Sequence, residues 1–485
     1  MVRYMASIIG VNSTSVDCHA TKQTSTKENP VQKTARLVPR KVIPASFVMA
    51  SLFIFIAPSA FADVSPGDKI TAANKEMIKG LIPDELYPFV AENFADLDVS
   101  VVASEEYPPH PKYVEATVKY ACQATIDAKG LVQNYTAGQP FPYSEWATKA
   151  TNHACDLKQD DPQFALKLAW NVNYRWQGGS GLNLPHWGAS NMRNSGKEMW
   201  RLAQGEYRRT YFSHRADLLP ETTELQEGTD VEWAEFFDVK TPFDLRGTMF
   251  LLYRYTTAKE DDTWAYIPAL RRVRRIAATQ KSDSLLGTEF TLEDFYIFAG
   301  YVWDHQWEFQ GESTKLAAMN SRRDCFPTVI SPEEAIREKG MTRLGKEDEW
   351  FHCSFGPYGA LAFDGESLQK RTVFQLDDIP RQKGHPYSRK KIWYDKETMM
   401  PLYSLAYDRA GKPYRIINSI FKWSEDSPTA ANKGKFVNNY AHILIANVQN
   451  NTSHSIQFDN TNASTFSVAE SRKYYDTTKL KRQGR

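Results

Sequence analysis

Residues 400–423 have the sequence MPLYSLAYDRAGKPYRIINSIFKW. Two runs rich in Tyr, Leu, Ile and Phe, at 400–408 and 414–423, flank the segment Ala-Gly-Lys-Pro at 410–413. Runs of this composition are typical of strands, and Gly and Pro between them are typical of a turn. The stretch therefore predicts an antiparallel hairpin and indicates a β-rich fold.

Comparable runs elsewhere in the chain predict further long antiparallel strands. They lie at residues 199–212, 248–257, 263–276, 303–311 and 442–448. Aromatic residues make up 13% of the chain, which is typical of a sheet with two buried faces or of a wide apolar cavity. Helices are predicted at 111–129, where apolar residues recur every three or four positions, after Asp161-Pro162, and at 331–346.

Together these patterns predict an α+β fold. We expect one large, curved antiparallel β-sheet, a half-open barrel, with helices packed in its concave side and a helical N-terminal subdomain. The predicted segments are an N-terminal extension with a signal peptide (1–62), a helical region (63–196), the antiparallel half-barrel (197–427), and a C-terminal strand with a basic tail (428–485).

The N-terminal segment has the features of an export signal. A basic pair at 40–41 precedes an apolar run over 42–57, and Ala60-Phe61-Ala62 is the small-x-small pattern that a signal peptidase cleaves. A membrane-anchoring helix is the alternative, but the run is shorter than the roughly 20 residues that a bilayer span needs. We therefore predict cleavage near Ala62 and a periplasmic location.

The charge of the chain bears on its partners. Lys and Arg total 59, and Asp and Glu total 58. Without residues 1–62, 52 basic and 56 acidic residues remain, so the exported part is slightly acidic. Acidity and export together argue against nucleic acid as a partner.

Four cysteines follow the signal segment: Cys122, Cys155, Cys325 and Cys353. In an oxidising compartment, the sequential pairs Cys122–Cys155 and Cys325–Cys353 are the simplest of three connectivities. A four-thiolate zinc site is the alternative, but such sites favour CxxC pairs, which the sequence lacks. We predict two disulfides and no metal.

Residues 264–276 contain the arginines Arg271, Arg272, Arg274 and Arg275. Because alternate residues of a strand face opposite sides, Arg272 and Arg274 share one face of the strand predicted there. A guanidinium beside an apolar interior needs an anionic partner. That partner is either the carboxylate or phosphate of a ligand or an acidic side chain of the next loop: Asp283, Glu289, Glu293 or Asp294.

The chain resembles a known family. Residues 266–275 (YIPALRRVRR) and 286–295 (LGTEFTLEDF) are similar to a motif of periplasmic outer-membrane lipoprotein-sorting proteins, relatives of LolA and LolB. The similarity is greatest to a longer subfamily of unknown function. Further similar segments are 135–142, Trp170-Asn171 with Arg175, and 393–415, so that the resemblance extends over roughly residues 75–425.

The resemblance implies a carrier that moves a lipid, lipoprotein or other hydrophobic cargo toward the outer membrane. Its implied partners are an inner-membrane pump or an outer-membrane protein, with peripheral membrane contact. Such a carrier needs an apolar pocket but no catalytic residue and no cofactor. The candidate ligand-binding residues are Arg272 and Arg274 together with apolar residues for which a place in the plain core is the more common alternative: Phe250, Leu252, Trp264, Tyr266, Ile276, Phe295, Phe298, Trp303 and Trp307.

Two other functions stay open. The first is a non-catalytic adaptor for a membrane partner, in which side chains fill the interior of the sheet. The second is a hydrolase of hydrophobic esters. The sequence lacks the HExxH and GxSxG motifs, but a catalytic pair assembled across the fold, such as His186 with Asp244, would serve.

Overall fold

The computed structural model describes residues 64–93, 99–193, 198–277, 281–322, 363, 365–427, 430–458 and 474–483. From Asp63 to Arg485 the chain forms one compact unit. Among the described residues, none of the helices has the length and apolar character needed to cross a membrane.

Strands dominate the described part of the chain. They are β1 (Lys69–Ile70), β2 (Val99–Val101), β3 (Thr125–Ile126), β4 (Val132–Gln133), β5 (Gly181–Arg193), β6 (Glu198–Tyr211), β7 (Val231–Thr241), β8 (Met249–Tyr255), β9 (Asp262–Ile267), β10 (Arg272–Ile276), β11 (His305–Ala317), β12 (Ser367–Pro380), β13 (Tyr387–Asp395), β14 (Pro401–Asp408), β15 (Pro413–Trp423), β16 (Asn438–Asn447) and β17 (Thr452–Phe458). The α-helices of this part are α1 (Tyr87–Asn93), α2 (Pro111–Lys119), α3 (Glu145–Ala150), α4 (Phe164–Asn173) and α5 (Thr477–Gln483).

Fifteen of these strands form one sheet. Its order is β1-β2-β12-β13-β14-β15-β16-β17-β5-β6-β7-β8-β9-β10, and β11 pairs with β12 outside this path. The paired strands run antiparallel except for β2 and β12, which run parallel. The sheet is therefore mixed rather than purely antiparallel, and no pairing among the described residues joins β1 to β10 and closes it.

The sheet curves around one face, which we call the inner face. Trp233 on β7 and Arg254 on β8 line the same cavity as Tyr394 on β13, although seven strands separate β13 from β8 in the sheet order. Neighbouring strands lie about 4.8 Å apart, so in a flat sheet these residues would be tens of ångströms apart. The predicted large, curved and open sheet is therefore present.

The helices of the N-terminal third belong to this same body. α4 packs against β11, with the rings of Phe164 and Phe309 4.8 Å apart. The long strand β5, which lies within residues 63–196, pairs with β6 and β17 in the middle of the sheet. A separate helical N-terminal subdomain is not seen among the described residues. The prediction of a helical region at 63–196 had not included the strand β5.

The hairpin predicted at residues 400–423 is confirmed as β14 and β15. Leu405 pairs with Ile416 and Ser404 with Ile417, and these residues are at most 1% exposed. Adjacent residues of a strand point to opposite faces, so the sheet is covered on both sides here. This explains why the two strands have almost continuous apolar sequences rather than alternating ones.

Two predicted elements are shorter than the sequence suggested. Residues 263–276 form two strands, β9 and β10, because Pro268 cannot donate a ladder hydrogen bond and Arg271 adopts a left-handed φ of 48°. The helix predicted at 111–129 ends at Lys119, and Cys122 beyond it has a φ of 63°. This φ is not helical, so the helix could not have continued through Cys122.

The disulfide predicted between Cys122 and Cys155 is present, with its Cα atoms 5.6 Å apart. It connects the turn after α2 to the segment after α3. Cys325, Cys353 and the helix predicted at 331–346 lie outside the described residues.

The opposite, outer face of β6–β9 is covered by the C-terminal helix. Tyr475 and Leu480 are buried there against Phe236, Met249 and Leu251. The basic end of the chain therefore contains α5, whose apolar side completes the core on this face.

Candidate ligand-binding cavity

An apolar cavity lies on the inner face. It encloses about 910 Å³ measured out to the solvent at its mouth. Adjacent strands of the sheet form its floor, namely β16, β17, β5, β6 and β7. Its walls are almost entirely aliphatic and aromatic, as in pockets that bind small apolar molecules.

The strand β5 contributes a row of cavity residues. Leu182, Leu184, Trp187, Ala189 and Asn191 all line the cavity. They are alternate residues of the strand, apart from a bulge between Leu184 and Trp187 that adds one position. Trp187 is three positions after Leu184, which in a regular strand would place it on the opposite face. Because the bulge inserts one extra residue, Trp187 lies on the inner face with Leu184.

The roof of the cavity is a segment that we call the inner loop, residues 281–304. Phe290, Phe295 and Tyr296 from this loop line the cavity. The rings of Phe290 and Phe295 lie 4.4 Å apart, and Phe295 stacks at 5.9 Å on Tyr207 of β6. The inner loop therefore shields the apolar floor from water.

A buried ion pair holds the middle of the inner loop to β13. Lys390 Nζ donates to Asp294 Oδ1 at 2.7 Å and to the carbonyl oxygen of Ile297 at 3.0 Å. Tyr387 Oη donates to Asp294 Oδ2 at 2.7 Å. Asp294 is fully buried and Lys390 is 1% exposed, so both charges depend on these contacts for compensation.

Two histidines hold the neighbouring Glu293. His385 Nε2 lies 2.8 Å from Glu293 Oε2, and His305 Nε2 lies 3.3 Å from Oε1. His305 also contacts Asp378 through Nδ1. Burial opposes a charge on His305, but the carboxylates of Asp378 and Glu293 outweigh it and raise its pKa to about 9. Burial would raise the pKa of Glu293, but the contacts with His305 and His385 hold it well below its usual range.

Glu289 anchors the beginning of the loop to β15 and β17. Arg415 Nε donates to its carboxylate at 3.2 Å, and Thr452 Oγ1 donates at 2.7 Å. The backbone N–H of Glu289 donates to His454 Nε2 at 2.7 Å. Through Nδ1, His454 also contacts the cavity residue Asn191.

The end of the loop is attached to β8. Arg254 donates to the carbonyl oxygens of Ala299 and Gly300 at 2.7 and 3.0 Å, while it makes a bidentate pair with Asp261. The inner loop is thus fixed from both sides of the curved sheet. Between these anchors Tyr296 and Ile297 have φ values of 55° and 69°, a conformation that is costly for a β-branched residue such as Ile.

The sequence profile of a family described as proteins of unknown function, DUF1329, matches residues 69–481. The chain belongs to this family. No curated protein matches it.

Solved structures similar to this DUF1329 chain include three from bacteria. A domain from Vibrio parahaemolyticus assigned to outer membrane lipoprotein sorting has 18% identity and a TM-score of 0.41, covering 66% of this chain and 99% of its own. A DUF1329 family protein from Desulfovibrio piger has 16% identity and a TM-score of 0.42, and the match covers 64% of this chain and 96% of the D. piger chain. A LolA superfamily protein from Nitrosomonas europaea has 8% identity and a TM-score of 0.36, and the match covers 65% of this chain and 98% of the N. europaea chain. Similarity at this level carries no argument about function.

The apolar residues singled out from the DUF1329 sequence fall in different places. Phe295 lines the cavity. Phe250 and Leu252 lie on the same inner face, on β8, opposite Phe237 and Glu235 of β7. Trp264 and Tyr266 lie on the outer face beneath α5, and Trp303 stacks on Tyr301 at 5.3 Å. Their role in ligand binding stays a prediction.

The arginine cluster is not paired with the inner loop in the way that was expected. Arg272 is exposed and Arg274 is partly buried on β10. Asp294, Glu293 and Glu289 instead pair with residues of β11, β13 and β15 and of the turn before β13. Sequence proximity does not indicate these partners, because most of them lie about 90–130 positions away.

The cavity residues of β5 and β16–β17 were missed by the sequence analysis. A signal existed in β5, where apolar residues alternate at 182, 184, 187 and 189 once one inserted residue is allowed. As for metals, the part of the chain that the structure describes has no group of three or more His, Cys, Asp or Glu side chains arranged to hold an ion. The side chain of His186 lies outside the described residues, so its pairing with Asp244 stays a prediction.

Proposed function

We propose that this protein is a periplasmic carrier that binds a lipid, the acyl chains of a lipoprotein, or another hydrophobic cargo. The observation that carries the proposal is the almost entirely apolar lining of the cavity beneath the inner loop. Binding of an apolar ligand to an apolar cavity is favourable, because it removes apolar surface of both from water. The export signal predicted at residues 40–62 supports the location.

The attachment of the inner loop fits this task. Its apolar residues Phe290 and Phe295 cover the cavity, while its acidic residues are fixed to the sheet by hydrogen bonds and ion pairs. Cargo binding and release through this roof require no chemical step, and therefore no catalytic residue.

Native mass spectrometry of the protein, purified without detergent, tests the proposal. We expect an added mass of lipid size that is lost on mild heating, and saturable binding of a fluorescent fatty acid such as 11-(dansylamino)undecanoic acid. Ala189→Trp places a large side chain in the cavity and should reduce probe binding at least tenfold. Ala410→Trp, on the exposed turn after β14, is the matched control.

The contrary result is equally clear. A bare protein mass, together with no saturable binding of the probe, would overturn the carrier proposal. It would favour the adaptor, in which the cavity serves only as an imperfectly filled core.

A further inference from the structure

Arg175 is a buried cation without a carboxylate partner in the described part of the chain. It follows α4 and is 8% exposed. Its Nη1 donates to the carbonyl oxygen of Val172 at 2.8 Å, and its Nη2 donates to Gln177 Oε1 at 3.4 Å. Its Nε has no hydrogen-bond partner among the described residues, and none of their carboxylates lies within 4.0 Å of the guanidinium.

The other buried arginines of the inner face are paired. Arg209 donates to Glu235 at 2.6 Å, Arg254 makes its bidentate pair with Asp261, and Arg415 pairs with Glu289 at 3.2 Å. Buried guanidinium groups in proteins are paired because desolvation of an uncompensated charge is costly. Arg175 therefore differs from its neighbours in a way that burial alone does not explain.

Arg175 lies directly behind the wall of the apolar cavity. That wall contains Tyr296 of the inner loop and Tyr440 of β16, whose rings are 5.2 Å apart in an edge-to-face arrangement. The guanidinium carbon of Arg175 is 5.9 Å from the centre of the Tyr296 ring. A smaller cavity lined by Arg175, Arg209 and Arg254 adjoins the same Tyr296 on the other side.

The wall itself carries further polar groups. The indole Nε1 of Trp187 is buried and makes no hydrogen bond to the described residues, and the buried hydroxyl of Tyr440 lies beside the guanidinium of Arg175. Both side chains line the apolar cavity. An unsatisfied buried donor costs about 1–3 kcal/mol, and a charged one costs more, so a ligand that supplies acceptor oxygens would be favoured here.

From these observations we infer that the cavity binds an amphiphile with one anionic end. This inference rests on the proposed carrier function and names its substrate class. The apolar chain occupies the cavity beneath the inner loop, and the anionic oxygens of a carboxylate or a phosphate monoester accept hydrogen bonds from Arg175 and Tyr440. Entry of the anionic end past Tyr296 requires that ring to move, which breaks the 2.9 Å hydrogen bond between its hydroxyl and that of Tyr207.

A purely structural role for Arg175 makes a different prediction. The carbonyl end of α4 carries a partial negative charge, which offsets part of the charge on Arg175. If that were its whole role, substitution would lower the melting temperature without changing ligand preference. The acid Glu232 lines a neighbouring cavity with Arg175, but its carboxylate is bonded to Asn173 at 3.0 Å.

Titration calorimetry of the full chain with three probes of equal chain length tests the inference: dodecanoate, dodecyl phosphate and dodecanol. We expect at least one anionic probe to bind at least tenfold more tightly than dodecanol, and the tighter of the two identifies the anionic group. Arg175→Met should abolish this preference while leaving dodecanol affinity unchanged. Arg409→Met, at an exposed arginine of the turn after β14, is the matched control and should retain it.

Each other outcome is decisive. Equal affinity for all three probes would overturn the anionic assignment while leaving the carrier function intact, whereas binding of none of them would overturn the carrier function itself. Loss of stability in Arg175→Met with an unchanged preference would establish the structural role instead. Should Arg175→Met fail to fold, Tyr440→Phe removes one donor without changing volume, and an unchanged anion preference in that variant would equally reject the inference.

Discussion

Glu232 of β7 is a buried carboxyl whose charge opposes folding. It is 6% exposed, and burial raises its pKa to about 7, although the charge of Arg254 and the hydrogen bond from Asn173 act in the other direction. Its folded-state pKa is above the unfolded value of 4.5, so the stability of the fold falls as the pH rises from about 4.5 to 7.

We therefore expect Glu232→Gln to raise the free energy of unfolding more at pH 8, where Glu232 is ionised, than at pH 5, where it is protonated. The amide keeps the hydrogen bond from Asn173 and cannot ionise. Urea unfolding should show a gain that is about 2–3 kcal/mol larger at pH 8 than at pH 5. Glu260→Gln, on the exposed turn before β9, should show no such difference, and an equal gain at both pH values in Glu232→Gln would contradict the assignment.

The ion pair between Asp294 and Lys390 behaves differently, because both partners are buried charges. Asp294→Asn leaves the Lys390 ammonium without a counter-ion and should lower the free energy of unfolding by about 3–5 kcal/mol. Adding Lys390→Met removes that stranded charge, so the double variant should lose less than the sum of the two single variants. Additive losses in urea unfolding would show that the pair is not coupled.

Among the structural elements, the inner loop has an attachment that depends on pH. His305 has its pKa raised to about 9, so the stabilisation from its positive charge is complete below about 6.5 and is lost as the pH rises through 9. Hydrogen exchange read by mass spectrometry should show lower protection factors for residues 289–297 at pH 10 than at pH 7.5.

A variant separates this effect from general alkaline loosening. In His305→Gln, protection of residues 289–297 should already be reduced at pH 7.5 and should change little by pH 10. Equal pH dependence in the variant and the natural protein would show that His305 does not hold the loop.

The helix α5 stabilises the outer face through one fully buried leucine. Leu480 is 0% exposed and packs in the cluster that contains Phe236 and Leu251. Leu480→Ala should lower the free energy of unfolding by about 2–5 kcal/mol, since it removes apolar contact and leaves a cavity. Arg482→Ala, at an exposed position of the same helix, should leave the melting temperature nearly unchanged.

Element prediction from the sequence succeeded where the signals are local. The β14–β15 hairpin has its turn residues between two apolar runs, so composition alone identifies it. β5 was missed because the bulge between Leu184 and Trp187 interrupts its alternation. The anchors of the inner loop were missed for a different reason: the Asp294–Lys390 and Glu289–Arg415 pairs join residues 96 and 126 positions apart.

For the molecule as a whole, the Cys122–Cys155 disulfide restrains the unfolded chain. It spans 33 positions, and closing a loop of that length contributes about 3–4 kcal/mol in the chain-entropy description. The double variant Cys122→Ser with Cys155→Ser should lose about this much in urea unfolding. Reduction with dithiothreitol should destabilise the natural protein more than the double variant, in which only the predicted Cys325–Cys353 disulfide is left to reduce.

The pairing of β17 with β5 has a kinetic consequence. His454 and Asn191 meet across these strands although they are 263 positions apart. The floor of the cavity therefore stays incomplete until nearly the whole chain has been synthesised, and contacts this distant in sequence form slowly because a long loop must close first. We expect the nascent chain to remain unfolded for longer than a chain with local pairings would. The proposed export requires an unfolded chain, so this delay would favour passage through a secretion channel before β5 and β17 pair.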